Sequence, residues 1–289
     1  MSSNACGNCD APLTGPYCAQ CGQRTHGGAR SLGALLHDGW DLVAHVDRRF
    51  WFTLWTLLAK PGQLTVDYFA DRRARYISPM RLYFALSIAF FALAAANTNL
   101  PWKNAVPGLA SAAAADTRVD SNPSANDCER IELRWPWLQV RLRSACERQV
   151  ADNGKSMAHA FGSYIPKMMF VFLPLMALVM LPLYRGSHHY YVEHLVFFLH
   201  THAALFLVMI GDMLLGMMAH WLPALSAIAS VGDFAAAGYA VWCVYRAMRR
   251  YYGESRAPTL AKLAVIGIAY QLFLVIMVAA TLLLSALTA

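Results

Sequence analysis

Long apolar runs poor in charge constrain this chain more than any other feature of it. A run of about 18 or more such residues is long enough to cross the hydrocarbon of a bilayer as one helix. Five runs qualify, at 80–96, 165–183, 194–218, 222–245 and 260–287. The composition agrees: 57% of the residues are hydrophobic and 14% are charged, against about 25% charge in an ordinary soluble domain. The fold class expected is an all-α integral membrane protein with about five transmembrane helices. The second run carries Pro166, Pro174 and Pro182. Prolines free backbone carbonyls that neighbours must satisfy, so this span is expected to be kinked and packed inside the bundle.

The first residues are different in kind. Met1 to Gln23 is polar and cysteine-rich, without the apolar stretch of a cleavable leader, so the first span is expected to direct insertion itself. Cys6-Gly-Asn-Cys9 and Cys18-Ala-Gln-Cys21 form two Cys-x-x-Cys pairs eight residues apart. Zn²⁺ prefers four soft ligands in a tetrahedron, and two such pairs at the ends of a short hairpin supply them. Gly7 and Gly22 suit the tight turns, since glycine tolerates positive φ. A thioredoxin-like site would need one pair in a βαβ context, haem attachment a histidine after the second cysteine, and a disulfide framework export of this segment. The expectation is one structural Zn²⁺ held by Cys6, Cys9, Cys18 and Cys21. A closed four-cysteine site leaves no position for water and so has no catalytic role. About 20 residues hold too little core to fold alone, so metal would supply most of the folding free energy.

Residues 31–60 read as amphipathic helix, with Leu32, Leu35, Leu36, Leu42 and Val43 near helical spacing. Arg48-Arg49-Phe50-Trp51-Phe52 then sets basic residues directly before aromatics, a pattern that favours the headgroup layer. Lys60-Pro61-Gly62 stops the helix, and a shorter one is expected to about Ala70. These helices are expected to lie on the cytoplasmic face; a small soluble helical domain is the competing reading.

The formal net charge is +7, but the basic residues crowd the ends of the apolar runs. Topology signals and contact with anionic headgroups therefore account for them better than nucleic-acid binding does. Arg48, Arg49, Lys60, Arg72, Arg73 and Arg75 precede the first span, Arg185 follows the second, and Arg246, Arg249, Arg250, Arg256 and Lys262 separate the fourth from the fifth. All three groups fall on one side, which gives a cytoplasmic N-terminus and an external C-terminus. That orientation also keeps the thiolates in a reducing compartment. The segment 97–164 is then external, with 110–126 expected to be disordered and 129–150 more ordered. Cys128 and Cys146 are its two cysteines, and in an oxidising compartment they are expected to form a disulfide. Cys243, within the fourth span, reads as a packed thiol.

Ionisable residues inside the membrane are costly and draw functional suspicion. Glu193, His200, His202 and Asp233 are the catalytic or transport candidates. At about 100° per residue, His189, Glu193 and His200 share one helical face. The competing reading is histidines hydrogen-bonded between helices. Asp212 lies nearer the outer end of its helix, and Asp233, nearer mid-membrane, would need a partner such as a histidine.

Several motifs together carry a resemblance. They are Tyr17-Cys18, Cys21-Gly22-Gln23, Asp47-Arg48-Arg49-Phe50, Thr53-Leu54, Lys60-Pro61-Gly62, Tyr68, Arg72-Arg73-Ala74-Arg75-Tyr76 and Ser78-Pro79-Met80-Arg81-Leu82-Tyr83. Over residues 5–90 the chain resembles bacterial membrane proteins of the domain-of-unknown-function 3667 family, and Tyr191 to Phe197 with His200 is similar more loosely. The resemblance implies a bacterial inner membrane, a zinc ribbon and several spans, and no activity. The organisation expected is a zinc ribbon at 1–25, cytoplasmic or interfacial amphipathic helices at 26–79, a first transmembrane helix at 80–97, an external loop at 98–164 and a four-helix transmembrane bundle at 165–289. Two functions fit. One is a non-enzymatic anchoring and docking module, touching membrane lipids and a cytoplasmic protein partner through the ribbon. The other is a membrane enzyme or transporter built on the intramembrane His, Glu and Asp residues. No nucleophile elbow or phosphate loop is present.

Overall fold

The computed structural model describes residues 5–23, 48–96, 128, 134–151 and 155–288. The amphipathic stretch before Arg48 and the low-complexity stretch 110–126 lie outside them. Among the described residues the chain is helical, without strands; one isolated bridge pairs Ala5 with Pro12.

The helices are α1 (Arg48–Ala59), α2 (Gln63–Phe69), α3 (Pro79–Ala96), α4 (Pro136–Ala151), α5 (Lys155–Leu183), α6 (Tyr191–Trp221), α7 (Ser226–Tyr252) and α8 (Arg256–Thr288). A 3₁₀ turn, Pro223–Leu225, leads into α7. Three stretches are long and apolar enough to cross a membrane: Tyr191–Trp221, Ser226–Tyr252 and Arg256–Met277. Two shorter apolar stretches, Pro79–Ala94 and Met168–Leu183, belong to α3 and α5. Many large apolar side chains on these helices point away from the protein, among them Phe234, Val241, Ile268 and Val275. Such exposure is unfavourable in water and neutral in lipid.

The chain divides into two compact units. The first comprises Met1–Ala92 and Leu173–Ala269. Its core is the N-terminal half of α6, where every residue from Val192 to Ala204 is buried. From α3 it takes Leu82, Tyr83, Leu86 and Phe90, and from α5 Leu173, Met176, Ala177 and Met180, each set at helical spacing on one face. The ring of Phe206 packs against those of Tyr83 and Phe90. The prolines of α5 leave it one continuous helix, and the Pro174 carbonyl accepts a hydrogen bond from the Tyr191 hydroxyl at 3.3 Å. α7 ends at Gly253, whose φ of 68° is left-handed and whose N–H returns to the Arg249 carbonyl.

α1 and α2 form a short helical hairpin against α6 and α7. The turn between them is fixed by Gly62, at φ 81°. A Cβ there would sit 2.8 Å from the Ala247 Cα and carbonyl oxygen. Only glycine allows both the dihedral and the approach.

The second unit comprises Leu93–Phe172 and Tyr270–Ala289. Within it Cys146 on α4 is joined to Cys128 by a disulfide with a Cα–Cα distance of 5.6 Å. The Phe172 ring meets Tyr270 and Phe273 edge-on.

Candidate metal centre and buried polar clusters

The two Cys-x-x-Cys turns fold alike. In each, the N–H four residues on returns to the carbonyl of the first cysteine: Asp10 to Cys6 at 2.8 Å and Gly22 to Cys18 at 2.9 Å. The residue after each second cysteine is left-handed, Asp10 at φ 58° and Gly22 at φ 72°. The glycine expectation therefore holds for Gly22 alone. Asp10 takes the equivalent position in the first turn, as short polar side chains can. Gly7 serves a different need: a Cβ there would lie 3.2 Å from Asp71 Oδ2.

The four thiols meet in pairs across the hairpin. Cys6 and Cys21 Sγ are 3.6 Å apart, Cys9 and Cys18 Sγ 3.5 Å, and all four lie within 4.8 Å of one another. A tetrahedron of metal–sulfur bonds of about 2.3 Å has edges of about 3.8 Å. The site could therefore hold one metal ion with small adjustments. The backbone N–H groups of Cys21 and Gln20 bring the Cys18 thiol down to about 6, whereas the Cys9 thiol, against the lowering by the Ala11 backbone N–H, is pushed up to about 12 by burial and by the other three thiols. Cys6, Ala11 and Cys18 form the small buried core around it.

This knuckle pair is docked on the loop between α2 and α3. The Gln23 side chain bridges the two like a length of backbone, donating to the Asp71 carbonyl at 2.7 Å and accepting from the Ala74 N–H at 3.2 Å. Arg75 donates to the Asn8 carbonyl at 3.0 Å, and Arg73 pairs with Asp71 at 2.7 Å. The same loop is tied to the hairpin through Asp67, buried in α2. Its carboxylate accepts from the Tyr76 hydroxyl at 2.7 Å and from Gln63 at 3.1 Å. Burial, then the bond to Asp67, pushes the Tyr76 hydroxyl up to about 12.

The remaining candidates fall into three separate places. At the start of α6, Glu193 accepts from the Tyr251 hydroxyl at 2.8 Å and pairs with His189 Nδ1 at 2.6 Å. His194 Nδ1 is bonded to the Tyr252 hydroxyl at 2.7 Å, and Tyr252 stacks on Tyr184 with centroids 3.9 Å apart. Lys262 lies over the Tyr184 ring at 3.6 Å and is ion-paired with Glu254. Two turns deeper, His200 Nδ1 meets the Thr65 hydroxyl of α2 at 3.0 Å, and His202 Nδ1 donates to the Phe198 carbonyl at 2.8 Å. Both histidines are buried and bonded. Beside them a narrow crevice is lined by Leu57, Lys60, Thr65, His200, Cys243 and Ala247.

Asp233 lies apart from both. It is exposed on α7, ten residues or about 15 Å along the helix from Cys243. Its side-chain neighbour is the Asp212 carboxyl of α6. Glu193, His200, His202 and Asp233 thus do not meet at one point. Sequence reasoning gave no role to Asp67, Tyr239, Tyr251 or Tyr252. The three tyrosine hydroxyls bond to residues 58 or more positions away, and short-range spacing carries no trace of that.

Residues 47–91 match the model of a family described as protein of unknown function (DUF3667). The matched stretch covers α1, α2, the loop that receives the knuckles and most of α3, and begins after the four cysteines. No curated protein and no solved structure matches the chain.

Proposed function

We propose that this chain is a multi-pass bacterial inner-membrane protein that anchors a cytosolic zinc ribbon, with no enzymatic role. Five spans, the two shorter apolar helices included, would carry the N-terminus inside and the C-terminus outside. The ribbon would occupy 1–25, the interfacial helices 26–79, the first span 80–97, the external loop 98–164 and the bundle 165–289. Zn²⁺ is the metal that four thiolates at these separations suit best, and four protein ligands leave nothing open for chemistry.

The observation that carries this reading is the seating of the four-cysteine knuckles on the 71–75 loop through Gln23, Asn8 and Arg75. The loop runs directly into α3, so a partner gripping the ribbon is held to the membrane. Tyr17 and Gln20 stay exposed on the ribbon and offer it a contact surface. Hydrogen-bonded, scattered His, Glu and Asp side chains support a structural use of those residues over catalysis or transport.

The test is site-specific photo-crosslinking in cells from Tyr17 and Gln20 of the full chain. Discrete protein adducts that disappear in Cys18→Ser protein are expected. Adducts that persist in that variant, or none at all, would remove the docking role. A reporter fused at the N-terminus that is active outside the cytosol would remove the orientation.

A further inference from the structure

The second unit carries an apolar surface outside its long apolar helices. At the start of α4, Trp135, Trp137 and Val140 are 58%, 62% and 67% exposed. Arg134 before them and Arg141 after them are exposed as well. Pro136 opens the helix, and the Trp135 carbonyl accepts its first bond from the Gln139 N–H at 3.0 Å. Both tryptophans are therefore held at the tip of a helix.

The disulfide decides which way this face looks. Cys146 ties α4 to Cys128. At about 100° per residue, Gln139, Leu142, Arg143 and Val150 lie within about 60° of Cys146 around the helix, and all four are half-buried. Trp137 lies on the opposite side from Cys146, with Val140 and Arg141 to its left and right. The covalent link thus turns one face of α4 onto the protein and leaves the tryptophan face outward. Such an exposed aromatic pair is unfavourable in water.

The same unit also holds α3 from Leu93, α5 as far as Phe172 and α8 from Tyr270. Residues 155–167 of α5, 13 residues or about 20 Å of helix, precede its apolar stretch, which begins at Met168. α4 has 16 residues, about 24 Å, and only 152–154 separate it from α5. Turned back along α5, it would span the distance to Met168, and its first turn is the end that would arrive there. The charge at that end suits a lipid surface. Arg134 and Arg141 flank the rings, while the exposed carboxylate of Glu147 is six residues beyond Arg141, about 9 Å further from the tip. Rings set among headgroups, with guanidinium groups on phosphate, are the combination such a layer favours.

We infer that the first turn of α4 docks on the anionic headgroup layer of the external leaflet, with Trp135, Trp137 and Val140 among the headgroups and Arg134 and Arg141 on lipid phosphates. Two rings and two guanidinium groups would hold a free protein only weakly. Here the chain on both sides of α4 is already in the membrane, so docking is intramolecular and a weak patch is enough. The inference rests on the membrane reading of the chain and gives the external segment a place against the lipid.

The experiment uses the full chain in vesicles of phosphatidylethanolamine and phosphatidylglycerol. A photo-crosslinking amino acid replaces one residue at a time: Trp137 on the outward face, Gln139 on the opposite one, or Val275, exposed on α8. Illumination should give lipid adducts, read by mass spectrometry, from 137 and 275 and not from 139. Arg134→Gln/Arg141→Gln should lower the adduct at 137 about tenfold, since each arginine near an anionic surface contributes about a fivefold factor, and should leave that at 275 unchanged. Exchanging phosphatidylglycerol for phosphatidylcholine should act in the same direction. An adduct at 137 indifferent to both changes overturns the assignment to anionic headgroups. No lipid adduct at 137 beside a normal one at 275, or an equal one at 139, overturns the docking. So does a protein adduct at 137, which would mean that a partner or a second copy covers the face. Absence of lipid adducts from both 137 and 275 would instead remove the membrane reading, and this inference with it.

Discussion

Gly62→Ala isolates the contact that fixes the hairpin. Two effects add at that residue. Its φ of 81° is left-handed, which costs a residue with a Cβ about 1–2 kcal/mol. The new Cβ would also stand 2.8 Å from both the Cα and the carbonyl oxygen of Ala247. Those are backbone atoms in the last turns of α7, unable to swing aside as a side-chain tip would. Overpacking of this kind adds about 1–3 kcal/mol, so the total is about 2–5 kcal/mol. Gly253→Ala is the matched control, since Gly253 has φ 68° and nothing within 4 Å of a Cβ; it should show the dihedral cost alone, about 1–2 kcal/mol. The measurement is equilibrium unfolding of the purified proteins in detergent micelles by increasing fractions of a denaturing detergent. Gly62→Ala should lose more stability than Gly253→Ala by about 1–3 kcal/mol. Equal losses would mean that the turn does not press on α7.

Other expectations follow from single interactions. Tyr239→Phe leaves the Leu58 carbonyl without its donor and should destabilise the chain by about 1–3 kcal/mol in the same assay; a neutral result would place water at that carbonyl. Cys6→Ser or Cys21→Ser should abolish stoichiometric zinc in the purified protein by elemental analysis, and acidification should release zinc from the parent as protons compete for thiolates. The Tyr76 hydroxyl, raised to about 12 from 10.0, binds its proton more tightly in the folded state than in the unfolded one. Its contribution to stability is therefore complete below pH 10 and lost as pH rises from 10 through 12. Tyr76→Phe should lack that part of the alkaline slope in unfolding titrations. Cys128 and Cys146, bonded in the structure, should react with a bulky maleimide in denatured protein only after reduction, as a mobility shift on a gel reads out.

The local chemistry of this chain was legible in its residues. Two Cys-x-x-Cys pairs bring four thiols within reach of one ion whatever else the chain does, because the turn geometry is set within five residues. Apolar runs such as 194–218 and 260–287 announce helices for a lipid solvent by length alone, and Lys60-Pro61-Gly62 announces a break. The same reading could not say that Gly62 touches Ala247, that Thr65 caps His200, or that Gln23 joins the cysteine turns to Asp71. Those contacts link residues between 48 and 185 positions apart, and the periodicity of a helix shows which face is apolar without showing what covers it. Glu193, His200, His202 and Asp233 looked like one group because each is a polar residue in an apolar run. Tertiary packing separated them, giving Glu193 to His189 and Tyr251, His200 to Thr65 and Asp233 to Asp212. A buried polar group takes whichever partner the folded backbone brings within about 3 Å, and that choice is made between helices.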